Sequence, residues 1–475
     1  MGIRVGIDLG ATYSKIAYVD KCGYVTAIEN AEGTRMTPSV VNFTDFSHIT
    51  VGFDAKEDAI IDPENTILFV KRLIGKTDSA INYNGKEILP EEVLSYIIKK
   101  LVADATEILE EEIDGAVITV PTYFCAKECA AVRRAAELAG INLINILTET
   151  TAAAISYGFC QNDVDRTFLI YDLGGSSLDI CVAKATNGKV NVICSGSIEL
   201  GGIDWDNALI EYLKEELFSK TGIEDLDEYI LHDLRVVAER AKMKLSTRDS
   251  SSVILRAAGE CTKLEITRKI FEEITSGVLE RSIEKTDEVL CTALKIGHKI
   301  DEIILVGGGS RMPQVRQVLF DKYGLHPKLY EPDLAIAKGA AIYAMIDKAI
   351  DVSPVCSKSY GIKIIRDGKE ICHNFIVKNT PFQGKSLSIS NTVGVTSSDL
   401  WMINLMIYES DSLEDYLPVN DKMIMGTLSF HVPNIQSVNV FIVKFNLSID
   451  GVLEVICVDR ETGVELASKR FWVNT

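Results

Sequence analysis

Two short segments of the chain repeat one chemical pattern. Asp8-Leu9-Gly10 lies near the start, and Asp172-Leu173-Gly174-Gly175 lies about a third of the way along. Each aspartate ends a short apolar run, so each pattern predicts a strand, an acidic residue and a glycine turn leading into the next strand. Glycine turns let backbone N–H groups approach phosphate oxygens, and carboxylates hold magnesium or its waters. The repeat therefore predicts two halves that clamp one metal-bound nucleotide between them.

The composition limits the class of protein. The chain has 475 residues, of which 47% are hydrophobic and 25% charged, as in an ordinary globular protein of several domains. Its formal net charge of −19 argues against nucleic acid or an anionic membrane surface as the main partner, because both need a basic footprint. The sequence shows no signal-peptide pattern and no apolar run of the ~20 residues that span a bilayer. We therefore expect a cytoplasmic protein.

The cysteines favour packing over metal binding. There are 11 of them, without a CxxC pair. Cys125 and Cys129 are four residues apart, the spacing of neighbours on a helix face, but two thiols do not make a zinc site. Ordinary helix packing is the preferred interpretation.

The elements that must position the aspartates alternate between strands and helices. The patterns predict a hairpin over 1–20, helices over 91–109, 127–139, 151–157, 204–219, 230–246 and 335–350, and strands over 116–120, 179–184, 190–197 and 303–306. We expect Gly140 to end the helix over 127–139, and the helix over 151–157 to end before Gly158. Such alternation is typical of an α/β fold.

The pattern changes after residue 352. Val443, Phe445 and Leu447 alternate with polar residues, and the segment 450–451 is a hairpin turn signal. The sequence therefore predicts an α/β domain over 1–349, a linker over 350–356 and an all-β antiparallel sandwich over 357–475.

The motifs, taken in order, resemble one family: the seventy-kilodalton heat-shock chaperones of the DnaK type, within the actin-like ATPase superfamily. The resemblance covers nearly the full chain. It rests on segments 6–14, 70–75, 120–124, 151–154, 172–175, 200–204, 239–242 and 306–308. It implies a two-lobed actin-like ATPase domain followed by a peptide-binding sandwich, with ATP or ADP, Mg²⁺ and, as a further candidate cation, K⁺.

The resemblance implies roles for the acidic and catalytic residues. Asp8 and Asp172 would hold hydrated magnesium, with Asp179 as a third acidic neighbour. Lys71 would position the attacking water and stabilise charge on the γ-phosphate, which is most of what phosphoryl transfer needs.

Further catalytic and binding residues follow from the same resemblance. Glu149 would lie on the water and magnesium side, and Ser177 would place a hydroxyl at the γ-phosphate, so the catalytic set is Lys71, Glu149, Asp172 and Ser177. The implied nucleotide-binding set is Gly10, Ala11, Thr12, Tyr13, Lys71, Gly174, Gly175, Ser176, Ser177, Gly201, Gly202, Glu239, Lys242, Met243, Ser246, Gly308, Gly309, Ser310, Arg311 and Asp333.

Several positions depart from the family pattern. Ala11 replaces a hydroxyl residue of the first phosphate turn, at a cost of about 1 kcal/mol for an ordinary hydrogen bond. Ser176 replaces a glycine, Thr150 a proline, and Met243 an arginine that covers one face of adenine. We expect nucleotide to bind, with slower hydrolysis or weaker signalling between domains.

The coupling elements also depart from the family. The linker lacks a leucine run, and Cys129 lies where the family has the arginine partner of the proline at Pro121. The sequence carries no helical pattern after the sandwich, so no helical lid is expected. Candidates for the peptide groove are Ile364, Ile365, Leu387, Ile389 and Val395, the alternative being that they are core residues of the sandwich.

Three functions remain open from the sequence. The first is an ATP-driven chaperone-like protein that hydrolyses ATP slowly and holds extended apolar polypeptide segments, with J-domain and nucleotide-exchange co-chaperones as possible partners. The second is a regulatory or degenerate relative that binds ATP with little turnover. The third is a superfamily kinase or an actin-like filament protein, which the sandwich and Lys71 disfavour.

Overall fold

The computed structural model describes most of the chain. The described residues are 2–45, 48–76, 80–83, 86–159, 165–186, 189–222, 226–257, 260–345, 352–353, 355–382, 386–395, 402–432, 439–449 and 451–473. Of the predicted linker, residues 350, 351 and 354 lie outside this description, as do 346–350 of the last predicted helix and residue 450 of the hairpin turn.

The first lobe comprises the elements before residue 160. Its strands are β1 (Ile3–Asp8), β2 (Tyr13–Val19), β3 (Val25–Ala27), β4 (Thr37–Pro38), β5 (Val41–Asp45), β6 (His48–Val51), β7 (Thr66–Ile67), β8 (Ile81–Tyr83), β9 (Lys86–Ile88), β10 (Ile113–Val120) and β11 (Leu143–Thr148). Its helices are α1 (Phe53–Asp58), α2 (Pro90–Leu109), α3 (Ala126–Ala139) and α4 (Glu149–Phe159). The main sheet has the order β11-β10-β1-β2-β3, with β4 beside β2.

The second lobe repeats this plan. Its strands are β12 (Arg166–Leu173), β13 (Leu178–Thr186), β14 (Lys189–Ile198), β15 (Ser250–Ala257), β16 (Glu260–Thr267), β17 (Glu302–Val306) and β18 (Lys328–Leu329), and its helices are α5 (Gly202–Thr221), α6 (Glu228–Leu245), α7 (Arg268–Ile274), α8 (Ser276–Lys295), α9 (Pro313–Tyr323) and α10 (Ala335–Met345). With β19 (Val352–Ser353), the main sheet has the order β18-β17-β12-β13-β14-β19. Strands β15 and β16 form a separate hairpin.

The two aspartates occupy equivalent places in the two sheets. Strand β1 pairs in parallel with β10 and antiparallel with β2, and β12 pairs in parallel with β17 and antiparallel with β13. Asp8 and Asp172 therefore both end a central strand, at the first turn of a hairpin. The predicted duplication of the strand and glycine turn is confirmed.

Helices α4 and α10 join the lobes by crossing closely. A Cβ atom on Gly339 of α10 would overlap with the backbone carbonyl of Ala152 in α4, and one on Gly6 of β1 would overlap with the backbone of α10 near Ala341. The small residues on these helices let the two backbones approach where the lobes meet.

One predicted helix end is wrong. Helix α4 continues through Gly158 to Phe159 instead of ending at residue 157. A side chain at Gly158 would overlap with Val190 of β14, so the glycine is required by close packing of the helix against this strand, and not by a turn. By contrast, Gly140 ends α3 in the left-handed region with φ 76°, as predicted.

The C-terminal region is the predicted antiparallel sandwich. Its strands are β20 (Ser359–Arg366), β21 (Lys369–Ile376), β22 (Ser386–Val395), β23 (Met402–Ser410), β24 (Tyr416–Pro418), β25 (Ile424–His431), β26 (Asn439–Ser448), β27 (Val452–Asp459) and β28 (Glu465–Trp472). One sheet has the order β24-β21-β20-β23-β25 and the other β22-β26-β27-β28. Phe441, Val443, Phe445 and Leu447 of β26 point into the core between the sheets.

The sandwich contacts both lobes. The Arg133 guanidinium of α3 lies 3.6 Å from the centroid of the Trp472 ring, and the Ala126 N–H at the start of α3 donates to Glu409 Oε2 at 3.0 Å. On the second lobe, the Ser195 N–H donates to Asn379 Oδ1 at 3.2 Å. Strand β19, from the predicted linker, pairs in parallel with β14. The sandwich is thus tied to the two-lobed region at α3 and at Ser195, and the strand that precedes it is tied to β14.

Glu409 makes this contact dependent on pH. Burial raises the pKa of its carboxyl to about 7, against about 4.3 in an unfolded chain. The folded protein then binds the proton more tightly, so the free energy of unfolding falls as the pH rises from about 4.3 to about 7. We expect Glu409→Gln to remove this pH-dependent loss of stability, which is at most roughly 4 kcal/mol. The variant should therefore gain more in melting temperature at pH 8 than at pH 5.

Thermal melts of the unmodified protein and of Glu409→Gln, each at pH 5 and pH 8, test this prediction. Glu465→Gln, at an exposed position of the neighbouring β28, is the matched control and should shift little at either pH. Equal shifts for Glu409→Gln at pH 5 and pH 8 would contradict the assignment of the pH dependence to Glu409.

Candidate nucleotide site

A cavity of about 620 Å³ lies between the two lobes, where the duplicated turns meet. Nearly all of the residues predicted to bind nucleotide line it. These are Gly10, Ala11, Thr12, Tyr13, Lys71, Gly174, Gly175, Ser176, Ser177, Gly202, Glu239, Lys242, Met243, Ser246, Gly308, Gly309, Arg311 and Asp333, together with Asp8, Glu149 and Asp172. Residues from distant parts of the sequence therefore share one concave surface.

The two glycine turns face each other across this cavity. A Cβ atom on Gly175 would lie 2.7 Å from the Thr12 hydroxyl, so the second turn approaches the first without room for a side chain. Behind Gly175, a Cβ on Gly201 would lie 2.5 Å from its backbone. The glycines are thus required by the close approach of the two turns and of the segment behind them, where a side chain has no room.

Two carboxylates face the cavity from opposite lobes. Among the residues that the structure describes, Asp172 Oδ1 has no hydrogen-bond partner, although Asp172 is almost fully buried. Burial and the charges of Glu149, Asp179 and Asp8 raise the pKa of Asp172. Such a cluster of negative charge is relieved by a cation, and two carboxylates with waters and phosphate oxygens suit magnesium. The donors present therefore fit a magnesium-bound nucleotide.

Asp179 takes a different place from Asp8 and Asp172. It lies opposite Asp172 on the hairpin, but it does not line the cavity. Its Oδ1 accepts from the Thr122 N–H at 2.6 Å and from the Ser197 hydroxyl at 2.7 Å. Asp179 is therefore a buried neighbour that contributes charge: these two donors hold its Oδ1, and its Oδ2 has no hydrogen-bond partner among the described residues. In the described part of the chain, no group of three or more His, Cys, Asp or Glu side chains is arranged to hold a metal.

Lys71 and Glu149 form a buried ion pair at the phosphate end of the cavity. Their side chains are only 4% and 7% exposed. Lys71 lies on a one-turn 3₁₀ helix of the first lobe, and Glu149 begins α4. Burial raises the pKa of the Glu149 carboxyl, and the adjacent Lys71 ammonium opposes that shift. A carboxylate with a raised pKa can orient a water molecule, and an ammonium held beside it can stabilise negative charge that develops in a reaction.

Arg72 joins the lobes at this end. Its guanidinium donates to the Ser176 carbonyl at 3.1 Å and to Asp204 Oδ2 at 2.7 Å. The same Asp204 oxygen accepts from the Gly201 N–H at the start of α5. The second phosphate turn is therefore positioned by a residue next to Lys71 in the sequence.

The opposite end of the cavity combines polar and apolar side chains. Glu239 pairs with Lys56 at 3.1 Å, and Lys56 also donates to the Tyr13 hydroxyl at 3.0 Å. Lys242 donates to Asp206 at 2.6 Å and to the Gly202 carbonyl at 2.9 Å. Glu239, Lys242 and Met243 lie on α6, and Ser246 follows as the residue that caps its C-terminus; all four line the cavity.

Across the cavity from α6, Arg311 pairs with Asp333. Met243, which is 62% exposed, and Arg311, on the one-turn 3₁₀ helix after β17, line the same cavity.

Two predicted nucleotide residues do not line the cavity. Gly201 packs behind Gly175, and the Ser310 hydroxyl donates to the Val306 carbonyl at 2.6 Å. Both support the turns that do line it.

Other residues that line the cavity were not predicted from the sequence. Lys15 lies two residues after Tyr13 on β2, so strand alternation could have placed both on one face. Asp206, the partner of Lys242, lies in the first turns of α5. The remaining ones are apolar or small and carry no sequence signal: Met36, Ile203, Thr247, Gly307, Met312, Leu329, Pro332 and Ile336.

The candidate peptide residues are divided between core and surface. Leu387 belongs to the core of the sandwich, while Ile364, Ile389 and Val395 are half-buried and pack against that core. Ile365 is 74% exposed. For Leu387 the structural alternative, a core residue, is the better description.

The two cysteines at the start of α3 have separate surroundings. Cys125 precedes the helix, and Cys129 lies buried within it as part of the apolar core of the first lobe. No helix in the described part of the chain is long and apolar enough to cross a lipid bilayer.

Comparison with known proteins agrees with this geometry. A family model described as "Hsp70 protein" matches residues 4–469. "Chaperone protein DnaK" of Thermotoga neapolitana is 35% identical over 492 aligned residues, covering 97% of this chain and 79% of that protein. "Chaperone protein DnaK" of Thermosipho melanesiensis is 34% identical over 484 residues, with the same two shares. Together with the two-lobed domain and the sandwich, these matches establish that the chain belongs to the Hsp70 family.

Proposed function

We propose that this protein is an ATP-dependent chaperone that hydrolyses ATP slowly and couples the nucleotide state to the binding of extended apolar polypeptide segments by its sandwich. Hsp70 family members in general are ATPases that use magnesium, and chaperones of the DnaK type bind unfolded polypeptides. The single observation that carries the proposal is the buried Lys71–Glu149 pair between two facing phosphate turns.

In this proposal, each polar residue at the phosphate end of the cavity has its own role in ATP hydrolysis. Asp8 and Asp172 would hold magnesium, which supplies charge neutralisation at the phosphates. Glu149 orients the attacking water, and Lys71 stabilises the charge that develops on the transferred group. Ser177, buried beside these groups, offers a hydroxyl to the terminal phosphate.

Coupling to the sandwich follows from the elements that it contacts. Helix α3 follows β10 after Pro121, Thr122 binds Asp179 through its N–H, and α3 meets Glu409 and Trp472 of the sandwich. A displacement at the carboxylate centre can therefore reach the sandwich through one loop and one helix. Partners of the same class as those of the DnaK-type chaperones, J-domain and nucleotide-exchange co-chaperones, belong to this proposal.

Peptide release rates test the coupling. We expect a labelled extended peptide rich in leucine to dissociate several-fold faster in ATP than in ADP, because the sandwich contacts differ between the two states. Arg133→Ala, which removes the contact to Trp472, should reduce that ratio, whereas Arg134→Ala on the same helix, 64% exposed at its side chain, should not. Equal release rates in both nucleotides would reject coupling.

A regulatory relative with little turnover is the second candidate. It is favoured by Ala11, which lines the phosphate end of the cavity without a hydroxyl, and by Met243 in place of an aromatic-stacking arginine. This candidate predicts nucleotide binding with no measurable phosphate release. A kinase or filament function is disfavoured by membership of the Hsp70 family.

Met243 sets the affinity for the base. We expect Met243→Arg to tighten ADP binding about threefold, because a cation over an aromatic ring is worth about 0.5–1 kcal/mol at an exposed site. Titration of a fluorescent ADP analogue measures this change. Met402→Arg, the same change at an exposed position of β23, is the control and should leave affinity unaltered. Weaker binding by Met243→Arg would contradict the assignment of α6 to the base.

A further inference from the structure

Lys15 introduces a fixed positive charge beside the carboxylates of the phosphate site. It lies directly opposite Asp8 across the β1–β2 hairpin, and its Nζ is 2.8 Å from Asp8 Oδ2. The Lys15 side chain is only 14% exposed, yet it lines the cavity. The ammonium also lies close to the first phosphate turn, since a Cβ atom on Gly10 would be 3.6 Å from Nζ.

Carboxylates surround this side chain, because Asp8, Asp172 and Asp333 line the same cavity. An ammonium has three donors, of which one is directed at Asp8. Lys15 lines the same cavity as Asp172, whose Oδ1 has no hydrogen-bond partner among the described residues.

The duplicated hairpins make the charge at this position distinctive. In the first hairpin Asp8 faces Lys15, and in the second Asp172 faces Asp179. In both hairpins the two residues are seven positions apart. One lobe therefore offers a carboxylate with an attached cation, and the other offers two carboxylates.

We propose that the Lys15 ammonium serves as a built-in monovalent cation of the phosphate site, so that nucleotide binding by this chain needs no free potassium ion. The inference rests on the proposed nucleotide function and adds to it. A polyphosphate brought against Asp8 and Asp172 needs compensating positive charge besides magnesium. Lys15 supplies one unit of it at hydrogen-bond distance from Asp8, tethered and therefore present at high effective concentration.

The test measures nucleotide affinity in different salts. A fluorescent ADP analogue is titrated, with magnesium present, in potassium chloride, ammonium chloride or choline chloride at equal ionic strength. We expect the affinity of the unmodified protein to be the same in all three. In choline chloride, Lys15→Ala should bind the ADP analogue about tenfold or more weakly, the effect of losing one charge-assisted hydrogen bond. In potassium or ammonium chloride its affinity should recover, because these cations can enter the space left by the side chain.

Two further variants separate charge from packing. Lys15→Met fills the space without charge and should lose affinity in every salt without recovery. Lys21→Met removes a lysine, 87% exposed at its side chain, from the turn that follows β2 and should behave as the unmodified protein. Recovery of Lys15→Ala by potassium within one preparation shows that the variant is folded.

Three outcomes would overturn the proposal. One is a requirement for potassium by the unmodified protein as strong as that of Lys15→Ala. Another is a Lys15→Ala affinity that neither falls in choline nor responds to potassium, while nucleotide still binds, which leaves the nucleotide function intact. Absence of nucleotide binding by the unmodified protein in every salt would reject both the inference and the proposed function.

Discussion

Replacing Lys71 by Ala is expected to lower the rate of ATP hydrolysis about 10²–10³-fold, the effect of removing one preorganised charge that stabilises a transition state. The Lys71 ammonium is buried against Glu149 at the phosphate end of the cavity, so solvent cannot replace it. Nucleotide affinity should change much less, because the glycine turns, Asp8 and Asp172 remain. Phosphate release under single-turnover conditions, with affinity measured separately, distinguishes the two effects.

The control must account for the carboxylate left behind. Removing one partner of a buried ion pair leaves an unpaired charge, which costs stability as well as activity. We therefore expect Lys71→Ala with Glu149→Gln to be more stable than Lys71→Ala alone while remaining equally inactive. Lys76→Ala, at a lysine that is 53% exposed beyond the same 3₁₀ turn, should retain full turnover. Undiminished hydrolysis by Lys71→Ala would reject the catalytic assignment.

Gly339→Ala is expected to destabilise the protein by about 3 kcal/mol, at the upper end of typical overpacking costs. The added Cβ would overlap with the backbone carbonyl of Ala152, and a backbone atom cannot move aside as a flexible side chain can. Since α10 and α4 join the two lobes, relief of the overlap requires their crossing to widen. The loss should be measured by chemical denaturation followed by circular dichroism.

A second glycine provides the matched control. Gly277 lies in the first turn of α8, where an added Cβ would meet nothing within 4 Å. Gly277→Ala should therefore be neutral or stabilise by up to about 1 kcal/mol, because alanine has less freedom to lose on folding. Similar stability for the two variants would show that the α4–α10 crossing tolerates a methyl group, contrary to its packing in the structure.

The nucleotide affinity of Gly339→Ala tests whether the α4–α10 crossing also positions the nucleotide site. Asp8 precedes the first phosphate turn and Glu149 begins α4, so a wider crossing would separate groups that line one cavity. We expect weaker nucleotide binding in Gly339→Ala than in Gly277→Ala at equal temperature.

Much of the architecture was predictable from local patterns. The strand alternation of Val443, Phe445 and Leu447 predicted a sandwich strand, and Gly140 predicted the end of α3. These predictions succeed because side-chain periodicity and the φ preference of glycine act within a few residues. The same reasoning failed at Gly158, where contact with Val190, distant in the sequence, decides the role of the glycine.

By itself, the sequence determined the repeated aspartate and glycine turn, the order of the α/β and β domains, and the candidate nucleotide residues, most of which line one cavity. Only the tertiary structure decided which carboxylates face that cavity: Asp8 and Asp172 do, whereas Asp179 is turned to Thr122 and Ser197. It also decided that Lys15 lies against Asp8, and that α3 meets the sandwich at Glu409. Charge and hydrogen bonding depend on neighbours that the chain brings together only on folding, so no local pattern could specify them.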